Sequence, residues 1–197
     1  MKKIIFLCLI LFPNKGLIAS VNNNPFEYFS LSIELLKNVN NNDLHYFYQP
    51  KNGLKTSITT PFYWGNIQAT VQILPFFGLE KDYIDFIGIH PNIKCGKSIH
   101  IFEKLRWYNA IGAGYYIFYF SKPLYLSHEI FHPAIAESEL SAGFLSELQY
   151  SFNNKINLNI GTNIDRIFTY KHIDMINISM GISYLFKTPN WMILLLN

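Results

Sequence analysis

The sequence predicts an all-β protein, an antiparallel up-and-down transmembrane β-barrel of about eight strands, on three observations. Apolar and polar residues alternate with a period of two along several segments. Apolar content is high, 50% of 197 residues with 17% aromatic and only 15% charged. Yet beyond the N-terminus no apolar run reaches the roughly 18 residues that a helical span needs. Finally, short polar turns separate the alternating segments. A helix would not sort side chains in this way. A barrel in lipid would, because its apolar side chains face out and its polar ones face in.

The N-terminus carries Lys2 and Lys3, an apolar run from Ile4 to Phe12, then Pro13 and the small residues Ala19 and Ser20. That is the layout of a secretory signal peptide over residues 1–20. The run is too short to cross a bilayer, which takes about 20 apolar residues. Cleavage would remove Lys2, Lys3 and Lys15 but no acidic residue, so the net charge of +3 falls to near zero. No basic patch then points to nucleic acid. Cys8 leaves with the signal and Cys95 has no partner, which excludes an internal disulfide and a Cys₄ zinc site.

Residues 21–186 are expected to form the barrel, with strands near 26–36, 52–61, 65–75, 82–94, 99–120, 137–152, 154–168 and 172–186. In the third, Ile67, Ala69, Val71 and Ile73 oppose Asn66, Gln68, Thr70 and Gln72. The fourth sorts poorly, since Tyr83, Asp85, Ile87 and Ile89 mix with Ile84, Phe86 and His90 and neither face is clean. The fifth is rich in Tyr and interrupted by Gly112 and Gly114. In the sixth, Leu140, Ala142, Phe144, Leu148, Tyr150 and Phe152 oppose Glu139, Ser141, Gly143, Glu147, Gln149 and Ser151. Two residues break that pattern: Leu145 falls on the polar face and Ser146 on the apolar one. The seventh sets Ile156, Leu158, Ile160, Thr162 and Ile164 against Lys155, Asn157, Asn159, Gly161, Asn163 and Asp165. The eighth sets Ile176, Ile178, Met180, Ile182, Tyr184 and Phe186 against Asn177, Ser179, Gly181 and Ser183.

Turns are expected at 61–65, 94–97, 153–154 and 170–171, with one long connection from Ser121 to Ala136. Asn153-Asn154 is a strong hairpin signal because Asn tolerates the backbone such turns require. A hairpin around Tyr170 makes positions whose numbers sum to about 340 face each other, so Arg166 should stand opposite Asp174. An even strand number puts both chain ends on one side, together with the turns at Pro61, Cys95 and Asn153. The loops near Asn40, Leu79, His128 and Tyr170 lie on the other.

The stretch from Ser179 to Phe186 resembles the assembly signal on the last strand of bacterial outer-membrane β-barrels. That signal has a polar residue, a glycine two on, and two aromatics spaced by one, matched here by Ser179, Gly181, Tyr184 and Phe186. The resemblance implies an outer-membrane location, with outer-membrane lipid and the barrel-assembly machinery as partners. The short turns would be periplasmic, and residues 187–197 an apolar tail at the periplasmic membrane surface. Small barrels of this kind serve as envelope scaffolds or surface-interaction proteins, without cofactor or catalysis.

On the polar face stand Arg106, Glu139, Glu147, Lys155 and Asp165, expected as paired charges filling a narrow barrel. A pore or ligand pocket is the alternative. Tyr63, Trp64, Trp107 and Tyr150, with Tyr184 and Phe186, cluster toward the short turns, and Tyr115, Tyr119 and Phe168 toward the other end. Two interfacial girdles would produce this placement. Only Tyr116, Phe118 and Phe120 point with the polar face.

One catalytic pattern matches by its letters. His128-Glu129-Ile130-Phe131-His132 reads H-E-x-x-H, which in zinc proteases needs a helix to set both imidazoles on one face. Here it lies in a loop, and Pro133 disfavours a helical His132. It reads as polar surface loop, with no metal. Lipid A-modifying barrels need a Ser, a His and a carboxylate converging, but neighbours such as Ser127 and His128 point apart in an extended chain. The expected function is therefore non-enzymatic, with a small-solute pore and a lipid A-modifying enzyme as alternatives. A secreted barrel with a polar outside is a further one, since alternation alone does not say which face is outward.

Overall fold

The computed structural model describes residues 25–81, 83–121, 136–189 and 191. Its strands are β1 (Tyr28–Asn38), β2 (Tyr48–Pro50), β3 (Gly53–Phe62), β4 (Gly65–Gly78), β5 (Phe86–Phe102), β6 (Leu105–Phe120), β7 (Ala136–Ser151), β8 (Ile156–Ile167) and β9 (Ile173–Lys187). A single 3₁₀ turn, Asp43–Tyr46, precedes β2. All pairings are antiparallel. Around the ring the order is β1, β3, β4, β5, β6, β7, β8, β9 and back to β1. β2 pairs with β4 past the end of β3, and Lys51 N–H donates to the Pro75 carbonyl at 2.9 Å between them. It thus prolongs the line of β3, and the barrel has eight lines. Closure leaves no strand edge exposed along the wall.

Side-chain exposure decides which face is outward. Ile33 is 55% exposed, while Glu34 beside it is 1% exposed. The same contrast runs through Ile58 and Ser57, Val71 and Thr70, and Ile93 and Lys94. The outside is apolar and the inside polar, which rules out the secreted barrel with a polar exterior.

The expected strands all exist, with one shift of consequence. Residues 94–97 do not turn but continue β5, which runs on to Phe102 and reverses at Glu103–Lys104. Gly96 is a packing glycine: a Cβ there would lie 2.6 Å from the Cβ of Ala110 on β6 and would strike the Asn109 carbonyl. Ile99 to Phe102 accordingly belong to β5, and β6 begins at Leu105. Within β5, Pro91 pairs with Val71 of β4, but His90 and Pro91 are missing from the ladder with β6. Proline has no N–H to contribute there.

Two exceptions to the alternation of β7 have physical reasons. Leu145 points inward, fully buried, and packs with Tyr108 and Ala110. Ser146 points outward and accepts the indole N–H of Trp107 at 2.8 Å. Without that bond, the hydroxyl and the indole would both face an apolar belt unpaired.

Candidate functional site

The inside of the barrel is filled in layers. Toward the long loops lies an apolar layer of Leu36, Leu74, Phe76, Phe86, Tyr116, Phe118, Ile167 and Met175. Leu44 of the 3₁₀ turn and Tyr48 of β2 pack against it. The segment before that turn is tied across the mouth to β9, because Asn40 and Asn42 each donate to the Asp174 carbonyl, at 2.7 and 2.8 Å. Asn42 also caps the turn by accepting from Leu44 N–H.

Beneath this layer are two charge clusters. Lys55 of β3 donates to Glu34 Oε2 of β1 at 3.0 Å and to Glu147 Oε2 of β7 at 3.1 Å, and all three are buried. Ser32 and Ser179 donate to Glu34, and Gln149 donates to Glu147. In the second cluster Lys94 of β5 donates to Asn163 Oδ1 at 2.7 Å and to Asp165 Oδ1 at 3.2 Å, both on β8. β6 makes room for it with glycine: a Cβ at Gly112 would lie 2.7 Å from Lys94 Cγ. Buried charges persist only when paired and hydrogen-bonded; the charges of both clusters are paired, and in the second Asp165 Oδ2 is left without a hydrogen bond. Lys55 to Glu147 and Lys94 to Asn163 and Asp165 cross the lumen between strands that are not neighbours, so these bonds brace the wall.

Of the interior charges expected from sequence, Glu147 and Asp165 are buried in these clusters. Arg106 and Glu139 are half-buried, near the two ends of the barrel. Lys155 is a correction. It is exposed in the turn between β7 and β8, where its N–H donates to Asn153 Oδ1, because the strand begins only at Ile156. Glu34, Lys55, Lys94 and His90 were not singled out. Glu34 and Lys55 stand on the polar parity of their strands, the one signal that could have found them, whereas His90 lies in the segment whose faces sort poorly and Lys94 falls where a turn is expected.

Ser141, His90 and Asp165 fall in the order of a hydrolytic relay. His90 Nε2 is 2.8 Å from Ser141 Oγ, and His90 Nδ1 is 3.8 Å from Asp165 Oδ2. The second distance is too long for a hydrogen bond. Ser141 is 2% exposed inside the barrel. The three residues are polar filling, joined to the Lys94 cluster through Asp165.

On the outer face, Tyr63, Trp64, Tyr115, Tyr119, Tyr150 and Phe168 are exposed and Trp107 is half-buried. Tyr63 and Trp64 form the turn after β3, and Trp107 and Tyr150 lie near the turn after β5. Tyr115, Tyr119 and Phe168 lie toward the long loops. The four residues of the terminal motif are all on β9, which closes the ring against β1 over eleven residue pairs. Ser179 and Gly181 face inward toward Glu34, and Tyr184 and Phe186 face outward, with Phe186 stacked on Phe29 of β1. His128, Glu129, His132, Ser127 and residues 1–20 lie outside the described residues. No group of three or more metal-ligating side chains converges among the described ones.

The hairpin joining β8 and β9 has the register expected from its sequence. Arg166 stands opposite Asp174 and binds it through two hydrogen bonds, 2.7 Å from Nε and 2.8 Å from Nη2. The pair is half-exposed, so Asp174→Asn should leave the unfolding midpoint unchanged. Arg166→Cys with Asp174→Cys should crosslink in cells. If Asp165→Cys with Asp174→Cys crosslinks better instead, the register is wrong by one.

No protein-family model and no curated protein sequence matches the chain. Solved structures do. Neisserial surface protein A is 11% identical, with 82% of this chain and 96% of that one covered and a TM-score of 0.53. Outer membrane protein H of P. aeruginosa, solved in micelles, is 9% identical, with 80% and 99% covered and a TM-score of 0.50. At such identities the likeness is one of fold.

Proposed function

We propose that this chain is an integral outer-membrane β-barrel acting as a non-enzymatic scaffold, whose long loops form its interaction surface. The filled interior is the observation that carries this reading. A passage for solute needs a continuous polar lumen, whereas here two ion-paired clusters and an apolar layer occupy the space between the strands. An eight-stranded barrel is about wide enough for side chains alone, so the filling agrees with the strand count. The apolar exterior and its two groups of aromatics suit a bilayer, and the fold is that of barrels such as Neisserial surface protein A. The motif on β9 supports export to the outer membrane and recognition there by the assembly machinery.

The test is direct. The mature chain should fractionate with outer membranes and migrate differently on gels before and after heating. In planar bilayers it should leave conductance at baseline. Steady single-channel steps would favour the pore reading, and recovery from the soluble periplasmic fraction would overturn the membrane assignment.

A further inference from the structure

The two ends of the barrel differ in charge. At the short-turn end the described residues include five basic side chains, Lys97, Lys104, Arg106, Lys155 and Lys187, against Glu27 and Glu103. The four lysines are exposed, and none takes part in an ion pair among the described residues. Among the described residues the opposite end carries five basic residues against six acidic ones, and there Arg166 is already neutralised by Asp174. Among the described residues, only the short-turn rim has unbalanced positive charge.

We infer that this rim is a binding surface for the headgroups of anionic glycerophospholipids, in the leaflet that meets the short turns. The inference rests on the membrane reading proposed above. Lys104, Lys155 and Lys187 occupy three of the four corners of the rim, the turn after β5, the turn after β7 and the end of β9, and Lys97 stands on β5 beside Gly65 at the remaining corner. Tyr63 and Trp64 share that remaining corner with Lys97, and Tyr184 stands beside Lys155. An ammonium next to an interfacial aromatic matches a lipid at the depth where headgroup gives way to chain. A depression of about 400 Å³ lies at one such place, lined by Asn153, Asn154, Lys155, Ile156 and Tyr184. It offers amides and an ammonium on one side and apolar wall on the other. Lysine suits this role, since its flexible stem follows a mobile headgroup without a fixed bidentate geometry.

The probe is the folded mature protein in nanodiscs containing phosphatidylglycerol and phosphatidylcholine in equal parts, with retained lipid identified by native mass spectrometry. Phosphatidylglycerol should be retained about fivefold or more over phosphatidylcholine. The preference should fall close to unity in the combined variant K97Q/K104Q/K155Q/K187Q and in about 0.5 M salt, where the charges are screened. The variant K37Q/K51Q/K81Q/K171Q, on the opposite rim, should keep it. Should the fourfold rim variant fail to fold, K155Q and K187Q singly must each lower the preference. Three results would overturn the inference: no preference in the wild type, equal loss in the opposite-rim variant, or better competition by purified lipopolysaccharide than by phosphatidylglycerol. Failure of the wild type to enter nanodiscs at all would instead refute the membrane reading beneath it.

Discussion

Lys55→Met is expected to prevent the barrel from reaching a stable folded state. Lys55 stands between Glu34 and Glu147 with its side chain wholly buried, and its ammonium is the cation both carboxylates share. Removing it leaves two buried acids facing one another without a counter-charge. Breaking a buried pair in this way typically costs about 3–5 kcal/mol, a large part of the stability of a small domain. The loss should appear as a missing heat-modifiable gel band and a much lower urea midpoint in micelles. Adding Glu34→Gln and Glu147→Gln to Lys55→Met should restore folding in large part, because hydrogen-bonding amides would then replace charges. A Lys55→Met protein with an unchanged midpoint would mean that the cluster is hydrated and contributes little.

The second large effect is expected at Gly181, where the sequence motif and the charge cluster meet. A Cβ there would strike the Ile33 carbonyl and come within 2.8 Å of Glu34 Cγ across the seam between β9 and β1. Gly181→Val should therefore push β9 away from β1 and displace Glu34 from Lys55, abolishing folding both in cells and in micelles. Gly161→Ala is the matched control. Its nearest neighbours would be the Glu147 side chain and Ser179 Oγ, both at 3.3 Å, which can give way. That variant should fold with only a modest loss. If Gly181→Val folds in micelles but fails in cells, the glycine serves recognition by the assembly machinery and not packing.

The contrast between β8 or β9 and β5 shows what was readable from sequence. In β8 and β9 the alternation is nearly unbroken, so parity assigned both faces and the short hairpin fixed the pairing of Arg166 with Asp174. In β5, Cys95-Gly96-Lys97 has the composition of a turn, while the true reversal at Glu103–Lys104 contains no Gly, Pro or Asn. The glycine belongs in the strand because β6 approaches it closely, a tertiary fact invisible in one segment. The same limit hid the charge clusters. Parity says that Lys55 faces inward, but which acids it meets depends on how far the strands slip past one another around the whole ring, and Lys94 was hidden further by the turn expected at its position. Lys155 went the other way, since its parity was carried through a turn where the rule no longer applies.

Glu34 stands on the first strand, but it gains the Ser179 hydroxyl only from the last. While the sheet is open, this carboxylate lies at an edge and keeps its water. It becomes dry only when β9 arrives and the ring shuts. The seam therefore orders events in time: most of the chain must emerge before the lumen can empty, and a molecule truncated before Ser179 retains a wet acid where the wall should close. Such a fragment also keeps unpaired backbone edges that a bilayer cannot satisfy, so incomplete copies would insert poorly and stay open to proteolysis.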